Sequence, residues 1–141
     1  AAAESAEDVL LDADFSGRTF GAIDHSIAMG ALFTAYHLGA KAIVAMTESG
    51  STALWMSRHR IHIPIYALTP KIATQRRMAL YRNVRPILMD TSADRDTALA
   101  QAERHLKDRG IVSAGDVYAI TCGEPMGAPG GTNMLKICRA G

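Results

Sequence analysis

The apolar run Ile43-Val44-Ala45-Met46 ends abruptly at Thr47-Glu48-Ser49-Gly50-Ser51-Thr52, and a helix-compatible segment follows from Ala53 to Arg60. A short apolar run bounded by turn residues is the pattern of a strand buried on both faces of a parallel sheet. Strand, hydroxyl-rich turn and helix in succession point backbone N–H groups and the positive end of a helix dipole at one spot, which suits an anion. Thr47, Ser49, Ser51 and Thr52 each add a hydroxyl that can donate to a phosphate oxygen. Capping the helix alone needs one such residue, and this turn carries four. No lysine follows Gly50 and the Walker pattern is absent, so the turn is not an ATP-binding P-loop.

The rest of the chain alternates helix and strand. Residues 1–18 mix alanine, acids and a Ser-Gly pair and read as a linker or lead-in segment, leaving 19–141 as one domain. Ile23, Ile27, Ala31, Ala35 and Leu38 form a helical stripe, with Thr19 as its cap and Gly39 where a left-handed C-terminal cap belongs. Ile61–Leu68 reads as a second strand. Thr69-Pro70 then starts a helix that runs toward Leu80 or Tyr81, with the threonine capping and proline at the first helical position. Val84–Met89 is a third strand, and Ser92 or Asp94 caps a helix that ends at Gly110. Val117–Cys122 is a fourth strand and Met134–Cys138 a fifth. The glycine- and proline-rich loop Gly123–Gly131 is too short for a crossover helix, so the last pair is antiparallel. The expected fold is α/β, a three-layer αβα sandwich on a mostly parallel five-stranded sheet with a final antiparallel strand. Ligands in such sheets bind beyond the carboxyl ends of the strands, where the hydroxyl turn and the glycine loop both open.

A chain of 141 residues is long enough to bury one core. Its net charge of +1 provides no field for nucleic acid or an anionic membrane, and the longest apolar stretch is broken by His37, Gly39 and Lys41. With no basic-then-apolar leader, the chain reads as cytoplasmic, and Cys122 and Cys138 as buried thiols rather than a disulfide. His25, His37, His59, His62 and His105 lack metal-ligand spacing, so no metal is expected in this chain. Arg58, His59 and Arg60 suit a helix C-terminus, with contact to a sugar or phosphate as the competing role. Arg76 and Arg77 read as a solvated or subunit-facing helix surface. Glu48 has no partner base or nucleophile placed by the sequence, so no catalytic residue is assigned.

Ala28-Met29-Gly30, the Thr-Glu-Ser-Gly-Ser-Thr core with its upstream strand, Pro64–Thr69, Leu80-Tyr81-Arg82, Gly115-Asp116-Val117 and Thr132-Asn133 occur in an order that resembles the C-terminal domain of pyruvate kinase, in its bacterial form. The resemblance runs from about Gly21 to the end. It implies a regulatory domain cut from a longer enzyme that transfers phosphate from phosphoenolpyruvate to ADP, giving pyruvate and ATP in glycolysis. The catalytic groups, magnesium and potassium would belong to a barrel domain of the parent chain. This domain would bind an allosteric effector and help to build a homotetramer. By that resemblance Thr47, Glu48, Ser49, Gly50, Ser51 and Thr52 form the turn that grips an effector phosphate. Gly127, Gly130, Gly131 and Thr132 belong to the loop that closes over it. Ser51 stands where relatives responsive to fructose 1,6-bisphosphate often carry a base, and the segment after the third strand is short and lacks tryptophan. A sugar monophosphate or AMP is therefore the expected effector. Two other readings use the same residues: a freestanding phosphometabolite-binding domain without a barrel, and a small phosphatase or sugar-phosphate isomerase. The latter lacks a visible nucleophile–base pair.

Overall fold

The computed structural model describes residues 19–90, 94–123, 126–127 and 131–141. The expected lead-in segment 1–18, the capping candidate Ser92 and the loop glycine Gly130 lie outside the described residues. In chain order the elements are α1 (Thr19–Leu38), β1 (Ile43–Met46), α2 (Ser51–Ser57), β2 (Ile65–Thr69), α3 (Ile72–Met78), β3 (Val84–Leu88), α4 (Arg95–Asp108), β4 (Val117–Gly123) and β5 (Thr132–Arg139). The sheet order is β3-β2-β1-β4-β5. β1 pairs in parallel with both β2 and β4, and β2 with β3, whereas β4 and β5 are antiparallel. The expected α/β fold, its mixed sheet and its final antiparallel strand are all present.

β1 lies in the middle of the sheet, and all four of its residues are buried. The pleat sends Val44 and Met46 to one face and Ile43 and Ala45 to the other. Val44 and Met46 join Leu68, Ile87, Ile120 and the α4 residues Leu99, Ala102 and Leu106 in one core. Ile43 and Ala45 join Ala28, Ala31 and Ala35 of α1, Met56 of α2 and Met78 of α3 in the other. Among the described residues three helices thus cover one face of the sheet and α4 covers the opposite face.

Two glycines end helices as the sequence suggests. At Gly39 (φ +65°), the Gly39 N–H donates to Tyr36 O at 3.3 Å and the Ala40 N–H to Ala35 O at 2.9 Å. At Gly110 (φ +71°), the same pair of bonds runs to Lys107 O and, from Ile111, to Leu106 O. Both sites are Schellman caps, in which a left-handed residue turns the chain so that orphan carbonyls find donors.

Several boundaries differ from expectation. Thr69 is not a helix cap but the last, fully buried residue of β2, where its carbonyl accepts from Met89 N–H at 2.8 Å. The ladder with β3 claims it, and α3 starts only at Ile72, after Lys71. β2 begins at Ile65 rather than Ile61, because Asn83 Nδ2 donates to the Ile61 and Ile63 carbonyls at 3.1 and 2.8 Å and holds that stretch as a loop. α2 starts inside the hydroxyl turn at Ser51 and stops at Ser57, short of Arg60. α3 ends at Met78, and β5 is longer than expected. Asp94 takes the N-cap position of α4 without a side-chain capping bond. Cys122 and Cys138 form no disulfide; Cys122 is buried as expected, whereas Cys138 is only partly buried. Among the described residues no helix is long and apolar enough to cross a membrane.

At the opposite end of the sheet from the hydroxyl turn, the Tyr118 hydroxyl donates to Glu103 Oε1 on α4, and Glu103 also pairs with Lys107 at 3.6 Å. Tyr118 holds the Glu103 carboxyl below its ordinary value of 4.5; burial pulls the other way, while the Gly141 N–H and Lys107 add to the lowering. The stability this carboxylate adds is complete above its unfolded pKa and is lost as pH falls through the lower folded value. Tyr118→Phe should cost about 1–2 kcal/mol at neutral pH, because it leaves a partly buried carboxylate short of a donor. Urea unfolding at pH 7 and pH 4 should show that cost shrinking in acid. An equal cost at both pH values would contradict the assignment.

Candidate functional site

In the sheet order, β1 has β2 on one side and β4 on the other, and the chain reaches β4 only after completing β2 and β3. The strand order therefore reverses between β1 and β4, and a crevice opens beyond the carboxyl ends of those two strands. The segments leaving these ends are the hydroxyl turn after β1 and the glycine loop after β4.

The turn is held from within and from below. Thr47 N–H donates to Leu68 O at 3.0 Å, which fastens the start of the turn to β2. Thr47 Oγ1 accepts from Gly50 N–H at 2.8 Å, and Ser49 Oγ accepts from Ser51 N–H at 3.3 Å. Gly50 occupies the N-cap position with φ +85°, a left-handed conformation that side chains resist. A Cβ there would meet Met78 Cγ at 3.2 Å, so the position requires glycine for both conformation and space. Thr52 and Ala53 stand in the first helical turn, where N–H groups have no acceptor within the helix. Ser49 and Ser51 are half-buried and reach the surface, whereas Thr47 and Thr52 are buried.

Thr52 Oγ1 donates to Thr132 Oγ1 at 2.9 Å, with both residues buried. Thr132 is the first residue of β5, where the glycine loop ends, so this bond joins the two segments across the switch point. Gly131 is half-buried beside it, and Gly127 is exposed with φ +95°. The sequence-derived residues Thr47 to Thr52, Gly131 and Thr132 thus sit on one edge of the sheet.

Four side chains at this edge were not assigned to it from the sequence. Arg77 is not simply a solvated or subunit-facing residue: its Nη2 donates to Ser49 O at 2.6 Å and lies 3.4 Å from Thr74 Oγ1. Thr74 Oγ1 in turn donates to Glu48 O at 2.8 Å. Thr74, Arg77 and Met78 share one face of α3 at helical spacing, but only the packing of α3 against the turn reveals what that face meets. Lys71 Nζ lies 3.7 Å from Glu48 Oε2, so two cations border the turn. The fourth residue is Asp24 on α1, only 4% exposed, whose Oδ2 accepts from Ser51 Oγ at 3.0 Å.

The Arg58-His59 pair faces elsewhere. His25 stacks on Trp55 with centroids 4.1 Å apart, and the Arg58 guanidinium lies 4.8 Å from the Trp55 centroid. Burial lowers the pKa of His25 most, with Arg58 adding and Asp24 opposing. Burial is also the main cause at His59, helped by His25 and Arg58. Among the described residues no group of three or more His, Cys, Asp or Glu side chains could hold a metal ion.

The model of the family described as "Pyruvate kinase, alpha/beta domain" matches residues 25–138. Pyruvate kinase II of Salmonella typhimurium is 40% identical over 119 residues, which are 84% of this chain and 25% of that protein. A pyruvate kinase of Staphylococcus epidermidis is 42% identical over 113 residues, 80% of this chain and 19% of its own length. The chain thus spans about a quarter or less of the curated relatives it matches. The fold is similar to that of a pyruvate kinase from Cryptosporidium parvum, with a TM-score of 0.82 at 21% identity over 99% of this chain and 26% of that one. With the family match running from the first helix to the last strand, the chain belongs to the pyruvate kinase α/β-domain family.

Proposed function

We propose that this chain is the effector-binding regulatory domain of a cytoplasmic pyruvate kinase and that its hydroxyl turn takes the phosphate of a sugar monophosphate or AMP. The observation that carries this reading is the Thr52–Thr132 bond, which ties the turn after β1 to the loop after β4 at the switch point. Half-buried Ser49 and Ser51, first-turn N–H groups and the nearby Arg77 and Lys71 supply the donors and positive charge that a phosphate needs. Among the described residues one such turn is present, which fits one phosphate better than two.

In the parent enzyme, phosphoryl transfer from phosphoenolpyruvate to ADP would take place in a barrel domain that also holds magnesium and potassium. The effector would act from this domain by binding one state of a tetramer more tightly than another. A coupling of about 1–3 kcal/mol is typical of such regulation. The test is calorimetric titration of this chain with glucose 6-phosphate, ribose 5-phosphate, AMP and fructose 1,6-bisphosphate. One of the first three should bind, and Ser49→Ala combined with Ser51→Ala should weaken it by at least ~tenfold, since each hydroxyl donates to a charged group. Binding unchanged in the double variant would remove the turn from the site.

A further inference from the structure

The two half-buried hydroxyls of the turn already have an acceptor inside the protein. Ser49 Oγ donates to Ser51 Oγ at 3.1 Å, and Ser51 Oγ donates to Asp24 Oδ2 at 3.0 Å. A hydroxyl has one proton to give. Both protons therefore run inward along a chain that ends on a carboxylate, and neither can point at an incoming anion at the same time. Asp24 is 4% exposed, and its other oxygen, Oδ1, has no hydrogen-bond partner among the described residues. A carboxylate in that position depends heavily on its bond from Ser51, because burial without donors is costly. A phosphate that draws the Ser51 proton outward would strip Asp24 of that bond and would bring a second negative charge toward the first.

We propose, on the reading of the turn as a phosphate site, that Asp24 is a built-in competitor for the effector's phosphate. Its carboxylate holds the Ser49–Ser51 hydroxyls in the empty domain and sets the effector concentration needed to release them. Lys71, just ahead of α3, and Arg77 on α3 border the turn, but Lys71 is engaged by Glu48 and Arg77 by the Ser49 carbonyl. Asp24 approaches from α1, on the other side, and is the acid whose contact the phosphate must replace. The affinity of this edge is therefore set below what its donors alone would give. A regulated site benefits from that, since an effector bound at every metabolite level would carry no signal.

The experiment is a titration of the 141-residue chain with inorganic phosphate, followed by the amide shifts of Ser49 to Thr52 in heteronuclear NMR spectra. Asp24→Asn, Asp24→Ser and Asp24→Glu are compared with the unsubstituted protein. The two neutral variants should reach their midpoints at about tenfold lower phosphate, and Asp24→Glu, which keeps the charge, should not. Asp24→Ser covers the case in which asparagine is not tolerated at a buried site. Shifts in the unsubstituted chain with the same midpoint in the neutral variants would overturn the competitor role and leave the phosphate site standing. Tightening in Asp24→Glu as well would also overturn it, because charge would then not be the cause. No shift at these amides in any of the four proteins would overturn both readings.

Discussion

Gly50→Ala should lower the stability of the domain by about 2 kcal/mol and abolish effector binding. The backbone term comes first: φ is +85°, and a left-handed conformation costs an L-residue roughly 1–2 kcal/mol. The new methyl group would also lie 3.2 Å from Met78 Cγ and 3.5 Å from Thr74 Cγ2. Met78 is fully buried, so it can yield only by repacking its own core. Relaxing either strain moves the Gly50 N–H away from Thr47 Oγ1 and re-aims the first-turn donors of α2. For a domain of this size the thermal midpoint should fall by roughly 5–10 °C. Circular dichroism melting and phosphate titration on the same sample would check both parts. An unchanged melting temperature would mean that the turn tolerates a Cβ and does not depend on glycine.

Leu106→Ala should be costlier, about 3 kcal/mol, within the usual range for a leucine removed from a core. Leu106 is 1% exposed and packs in the cluster that α4 closes over its face of the sheet. Among the described residues no second helix on that side can move in to fill the space. Its carbonyl also anchors the Gly110 cap through Ile111, so the loss sits at a fixed helix end. Urea unfolding should show a lower midpoint with an unchanged slope. Leu80→Ala is the matched control, since Leu80 is 87% exposed and its removal should cost almost nothing. Similar effects from the two substitutions would mean that the core is not where the packing places it.

What the sequence made legible was local. The buried run Ile43–Met46, the caps at Gly39 and Gly110 and the antiparallel closing pair each follow from a few adjacent residues whose geometry has few solutions. Thr69 misled because a capping hydroxyl before proline is a good local signal, yet the partner strand supplied a carbonyl–amide bond that kept it in the sheet. The candidate site divides the same way. The turn and the loop are contiguous and announce themselves by composition. Asp24 and Arg77 lie 27 and 28 residues from their partners in the turn, and no spacing rule connects them to it. Burial was equally hidden: four hydroxyls look alike as letters, but two face inward and two reach the surface.

The Thr52–Thr132 bond spans 80 residues of sequence. One half of the edge it closes is made near the start of the sheet and the other by the strand that completes it. No partly folded chain that lacks β5 can present both halves. A molecule bound across them therefore favours the finished fold alone, and its binding energy becomes folding energy. At a hundred times its dissociation constant such a ligand adds about 2.7 kcal/mol to the native state. The domain's resistance to unfolding, and to the proteases that act on unfolded chains, would then follow the supply of any metabolite that binds there.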